Sequence, residues 1–171
     1  RAGKPFAMRY PRGQATGMDV REGFEEIPLG TGRWIADGED VCIVSYGAIG
    51  NYVGEARQQL AEAGVSAAHV DLRFVKPIDA ALLTDVFSRF SKVLTVEDGV
   101  RDGGAGSAVV EWASDAGMIS GTEVVRLGLP DTFIEHGSQR QLHDEVGIGP
   151  DGTRRGRPPA RRPDGDGGGG V

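Results

Sequence analysis

Between Asp40 and Val146, short apolar runs alternate with stretches of helical spacing, and that alternation leaves few architectures open. Val41-Cys42-Ile43-Val44-Ser45-Tyr46 is almost continuously apolar and rich in β-branched residues, the pattern of a strand buried on both faces. After Gly47, the residues Val53, Ala56, Leu60 and Ala61 recur at helical spacing until Gly64 supplies a stop. Ala68 to Phe74 reads as a second strand, ending before Lys76-Pro77. Asp79 is placed to cap a helix carrying Leu82, Leu83, Val86 and Phe87. Lys92 to Val96 and Val124 to Leu127 read as two more strands, with a helix bearing Val109, Val110, Trp112 and Ala113 between them. Ser138 is placed to cap a final helix through Leu142 and Val146. Strands alternating with helices in this way predict an α/β fold, a three-layer sandwich with a mostly parallel sheet covered on both faces.

The flanks differ from this core. Residues 1–32 are rich in Gly, Pro and charge and read as the end of a preceding domain plus a linker, with Ala7 to Tyr10 a candidate last strand. Phe24 to Leu29 and Arg33 to Ile35 lead towards the sheet. From Gly152 the composition turns to Arg, Pro, Asp and Gly, which cannot bury enough apolar area to offset the ordering cost. Residues 151–171 are therefore expected to be a disordered, low-complexity tail. The sequence does not begin with Met and opens in a turn-rich segment, so it is expected to be a piece of something longer.

Composition narrows the functional classes. A net charge of −6 argues against a general nucleic-acid binder. No apolar run is long enough to span a bilayer, so no membrane partner is expected. The single cysteine, Cys42, cannot form an internal disulfide, which suits a reducing cytoplasm. The acidic residues lack the spacing of a calcium loop and no Cys/His cluster occurs, so no metal ligands are assigned.

Ligands of parallel sheets usually meet the carboxyl ends of the strands. Those ends are the loops Tyr46–Ala48, Arg73–Pro77, Glu97–Ser107 and Gly128–Gly137. Gly103-Gly104-Ala105-Gly106-Ser107 opens a helix, where backbone N–H groups could hold an anion or the glycines could let the helix pack closely. Close packing is the favoured of the two. Glu97 and Asp98 could act as acid and base or cap the following helix, and the structural role is favoured. His136 is a candidate cleft histidine or a loop anchor, His69 a strand residue and His143 a helix-surface residue. No complete catalytic constellation is visible, and no catalytic residue is assigned. Near the start, Arg9-Tyr10-Pro11-Arg12-Gly13 sets two guanidiniums on a turn stiffened by proline, suited to gripping a phosphate or carboxylate. From these five residues alone, a solvated surface turn is the favoured of the two readings.

Several motifs occur in one order. They are Arg9–Gly13; Val70-Asp71-Leu72-Arg73-Phe74-Val75-Lys76-Pro77-Ile78-Asp79; Leu94–Asp98; Gly103–Ser107; and Leu127-Gly128-Leu129-Pro130-Asp131 with Phe133-Ile134-Glu135-His136-Gly137. Over about residues 3–150 this series resembles the C-terminal part of the 1-deoxy-D-xylulose-5-phosphate synthase family, which is similar to transketolase. The resemblance implies that residues 1–18 end a pyrimidine-binding domain, 19–32 form a linker and 33–150 a transketolase-type C-terminal domain. It implies a cytoplasmic homodimer that uses thiamine diphosphate and Mg2+ to condense pyruvate with glyceraldehyde 3-phosphate. The product is 1-deoxy-D-xylulose 5-phosphate, with release of carbon dioxide, for isoprenoid, thiamine and pyridoxal synthesis. By the same resemblance Arg12, with Arg9 as the weaker candidate, would bind the substrate phosphate. The cofactor and metal sites would lie on segments absent from this chain, leaving it inactive alone. The alternatives are the matching end of a transketolase, the β-subunit of a 2-oxoacid dehydrogenase E1, or an interaction domain with no substrate.

Overall fold

The structure is a computed structural model describing residues 25–156. Five strands form one sheet: β1 Arg33–Ala36, β2 Val41–Tyr46, β3 Ala67–Asp71, β4 Lys92–Val100 and β5 Glu123–Leu129. Their spatial order is β1-β3-β2-β4-β5. β2, β3, β4 and β5 run parallel, while β1 pairs antiparallel with β3 at the edge, Arg33 opposite Asp71. The helices are α1 Asn51–Glu62, α2 Ala80–Arg89, α3 Ala105–Asp115, α4 Gln139–Glu145 and α5 Pro150–Arg155.

Alternate residues of the central strands feed two separate cores, as expected when side chains point to opposite faces. Cys42, Val44, Val70 and Val93 pack with Leu83, Val86 and Phe87 of α2 and with Val109 and Ala113 of α3. Ile43, Leu94, Val96 and Leu127 pack on the other face with Val53 of α1 and with Ile148 between α4 and α5. The expected three-layer α/β sandwich is the observed one.

Local signals account for several boundaries. The Asp79 carboxylate accepts from the Leu82 amide at 2.9 Å, capping α2 as expected, and also accepts from the Gly32 amide at 2.8 Å. Ser138 caps α4 in a reciprocal box with Gln141. Other boundaries moved. β3 ends at Asp71 rather than Phe74, because Arg73 adopts a left-handed φ of 55° and its amide donates to Asp71 Oδ1. β4 continues past Val96 to Val100, where it pairs with Leu129 after an irregularity in register.

The largest correction is at the end. α4 is not the final helix, and residues 151–155 do not belong to a structureless tail. They form α5, with Pro150 in its first turn and Thr153 buried. Gly152 looked like the start of the compositional collapse, yet a side chain there would run into the backbone of Gly147. The glycine permits close packing. α5 stops at Gly156 in the left-handed conformation, φ 58°. The rest of the expected tail, 157–171, lies outside the described residues.

Candidate functional site

Strand order places the site. The connection leaving β2 runs through α1 on one face of the sheet, and the one leaving β4 runs through α3 on the other. β2 and β4 are neighbours, so the two connections part above their carboxyl ends, the place where open α/β sheets usually receive ligands.

The polar groups at this crevice are largely engaged with each other. Glu97 is buried on β4 and its carboxylate folds back beneath α3. The amides of Ala105 and Gly106 donate to its two oxygens at 2.8 and 2.9 Å. The helix N-terminus of the glycine-rich loop is thus filled by the chain's own carboxylate, which matches the charge preference of that end. Close packing explains the glycines. A Cβ on Gly104 would overlap the Glu97 oxygens, and one on Gly106 would overlap Thr95 Oγ1. The structural role favoured for Glu97 and for the loop is what the geometry supports.

Asp98 takes a different part. His143 is buried, not on the helix surface as its position in α4 suggested, and its Nε2–H donates to Asp98 Oδ1 at 3.2 Å. Tyr52 meets the imidazole edge-on at 5.6 Å, and Arg140 lies 5.0 Å from the Tyr52 ring centre. Arg140 also bonds Glu55 and Asp144, and the Glu55 hydrogen bond, ahead of the two carboxylates' charge, holds its pKa above the ordinary value. This cluster ties α4 to α1 and β4. No residue pattern revealed it, because its members come from three separate elements.

A second histidine was also hidden by distance in sequence. His69 on β3 is buried and shares a 2.9 Å hydrogen bond with Ser45 Oγ on β2. Burial lowers its pKa from 6.5 to about 4, with Asp71 acting in the opposite sense. An unfolded chain with an ordinary imidazole takes up a proton as pH falls from 6.5 to 4, and the folded one does not. Stability is therefore fully present above pH 6.5 and declines as pH approaches 4, by up to about 3 kcal/mol. Urea titrations at pH 7.5 and 4.5 measure this loss, and His69→Gln is expected to remove most of the difference.

The remaining candidates divide plainly. His136 is exposed on the loop after β5 and makes no hydrogen bond or ion pair among the described residues. Cys42 is fully buried in β2, and burial pushes its thiol up to about 12, so it is not a nucleophile. Arg9 and Arg12 lie outside the described residues. Among the described residues no group of three or more His, Cys, Asp or Glu side chains could hold a metal ion, and no helix is long and apolar enough to cross a membrane. Glu97 occupies the α3 N-terminus, so the amides of Ala105 and Gly106 are not open to a diphosphate.

Comparison with known proteins agrees with this architecture. The family described as "Transketolase, C-terminal domain" matches residues 30–152. The chain belongs to that family. It is 50% identical over 151 residues to a 1-deoxy-D-xylulose-5-phosphate synthase of Cytophaga hutchinsonii, covering 88% of this chain and 23% of the relative. A protein of the same name from Bacteroides fragilis is 44% identical over 149 residues, again covering 23% of its length. Among solved structures, a split-gene transketolase described as an inactive beta4 tetramer superposes with a TM-score of 0.70 at 30% identity. That match covers 80% of this chain and 45% of the other. The chain thus spans roughly a quarter of the length of the curated relatives.

Proposed function

We propose that this chain is the C-terminal part of a 1-deoxy-D-xylulose-5-phosphate synthase. In this reading the whole enzyme condenses pyruvate with glyceraldehyde 3-phosphate to 1-deoxy-D-xylulose 5-phosphate and carbon dioxide, a transferase step in isoprenoid precursor synthesis. The observation that carries the proposal is the 50% identity to the Cytophaga hutchinsonii synthase across 88% of the chain. The transketolase alternative has the weaker support of a 30% identical structural neighbour.

The division of labour follows from the donor groups present. Thiamine diphosphate would supply the carbon–carbon bond chemistry. It and Mg2+ would be held by polypeptide outside this chain, so the chain alone would be inactive. Its own contribution would be a packed α/β scaffold and the Arg9-Tyr10-Pro11-Arg12-Gly13 motif. Proline restricts its own φ, and the planar guanidinium of Arg12 would donate two parallel hydrogen bonds to the phosphate of glyceraldehyde 3-phosphate. Arg9 would add a second positive charge.

The test joins residues 1–156 of this chain to the preceding part of the Cytophaga hutchinsonii synthase and replaces Arg12 with Ala. The KM for glyceraldehyde 3-phosphate is expected to rise by the equivalent of about 1.5–3 kcal/mol, the worth of a hydrogen bond to a charged group. The KM for pyruvate should hold. An unchanged KM for the phosphate substrate removes Arg12 from the site.

A further inference from the structure

The amino ends of the strands carry a cleft on the face of the sheet that α1 covers. Its volume is about 180 Å³, and its floor is Val41 and Ile43 of β2, Leu94 of β4, Val125 of β5 and Leu60 of α1. All five belong to one apolar cluster, but Val41, Leu60 and Val125 are only partly buried. Arg154 of α5 and Gly156, where that helix stops, complete one wall. A concave apolar floor with a few polar groups at its mouth is the usual form of a small-molecule site.

Size and charge define the ligand. An apolar cavity of about 150 Å³ holds a benzene ring, so this cleft suits a body of roughly six or seven non-hydrogen atoms. Lys92 and Glu123 open β4 and β5 as register partners. They share the parity of Leu94 and Val125, so both side chains stand on the cleft face. Arg155 is matched by Asp151 at 3.6 Å, and Lys92 has Glu123 as its neighbour across the strands. Arg154 is exposed and makes no ion pair among the described residues, which leaves a positive charge beside the apolar floor. A neutral ligand would leave that charge unanswered, and a phosphate, with no apolar part, would leave the floor in water.

We propose that this cleft binds a small apolar monocarboxylate, with its aliphatic end on Val41, Leu60 and Val125 and its carboxylate on Arg154. The site lies at the opposite end of the sheet from the crevice between the β2 and β4 connections, so a ligand there leaves that crevice free.

The test titrates the full 171-residue chain with 3-methylbutanoate and follows the valine and leucine methyl signals by NMR. Saturable shifts at Val41, Leu60 and Val125 are expected, half complete at about 1 mM, a strength in keeping with so few ligand atoms. The neutral counterpart 3-methylbutanol and inorganic phosphate should each bind about fivefold more weakly or worse. Arg154→Gln, at an exposed position, should weaken 3-methylbutanoate about fivefold and leave the urea midpoint where it was. Val125→Thr places a hydroxyl in the floor and should weaken the carboxylate and the alcohol alike. The absence of a saturable shift below about 20 mM overturns the proposal. So does equal binding of the alcohol or of phosphate, or binding that neither substitution changes. Movement of the same methyl signals with protein concentration alone also overturns it and assigns the cleft to a second copy of the chain.

Discussion

Glu97→Ala is expected to destabilise the domain by about 3–5 kcal/mol, because it removes a buried charge that two backbone amides depend on. The carboxylate accepts from Ala105 and Gly106 in a region that water does not reach, and truncation leaves both N–H groups without a partner. Glu97→Gln should cost roughly half as much, about 2 kcal/mol, because its amide can accept one bond but presents N–H groups to the other donor. Urea denaturation checks the magnitude, and exchange at residues 105–108 checks the location. If Glu97→Ala and Glu97→Gln both lose less than about 1 kcal/mol, the amides have other partners and the role given to Glu97 is wrong.

Ile148→Ala is expected to cost about 3–4 kcal/mol, within the range for emptying a fully buried aliphatic site. Ile148 is fully buried between α4 and α5 and packs with Ile43, Val53, Leu94 and Leu127. Its amide and that of Gly149 both donate to the His143 carbonyl, so the side chain and the turn that presents it are one unit. The loss should therefore be felt first in α4 and α5. Exchange at residues 139–155 is expected to accelerate before the strands open, and Ile148→Val, which removes one methylene, should lose only about 1 kcal/mol. Uniform acceleration across the sheet would show that the two helices are not a separately anchored layer.

The contrast between α4 and α5 explains what could be seen in the sequence. Ser138 and Gln141 form a cap from residues three apart, and Asp79 caps α2 through Leu82, so both starts were readable from local chemistry. β2 was readable because six successive residues had to be buried on both faces or not at all. α5 offers no such cue. Asp151-Gly152-Thr153-Arg154 matches the polar, glycine-rich run beyond it, and only the approach of Gly147 reveals why residue 152 is a glycine. The buried histidines were opaque for the same reason. Ser45 and His69 are 24 residues apart, and Asp98 and His143 are 45 apart, so neither pair exists until the sheet has assembled. Glu97 lies between these cases, since a carboxylate eight residues before a glycine-rich helix start was recognisable as a cap, but not that its two oxygens accept from two successive amides.

The assignment itself is tested most directly by the product of the joined enzyme. Residues 1–156 fused to the preceding part of the Cytophaga hutchinsonii synthase would be given pyruvate, glyceraldehyde 3-phosphate, thiamine diphosphate and Mg2+, and the products followed by NMR. The expected result is 1-deoxy-D-xylulose 5-phosphate with one carbon dioxide released per turnover. A folded fusion that leaves pyruvate untouched, or that instead moves a two-carbon unit between sugar phosphates, contradicts the assignment.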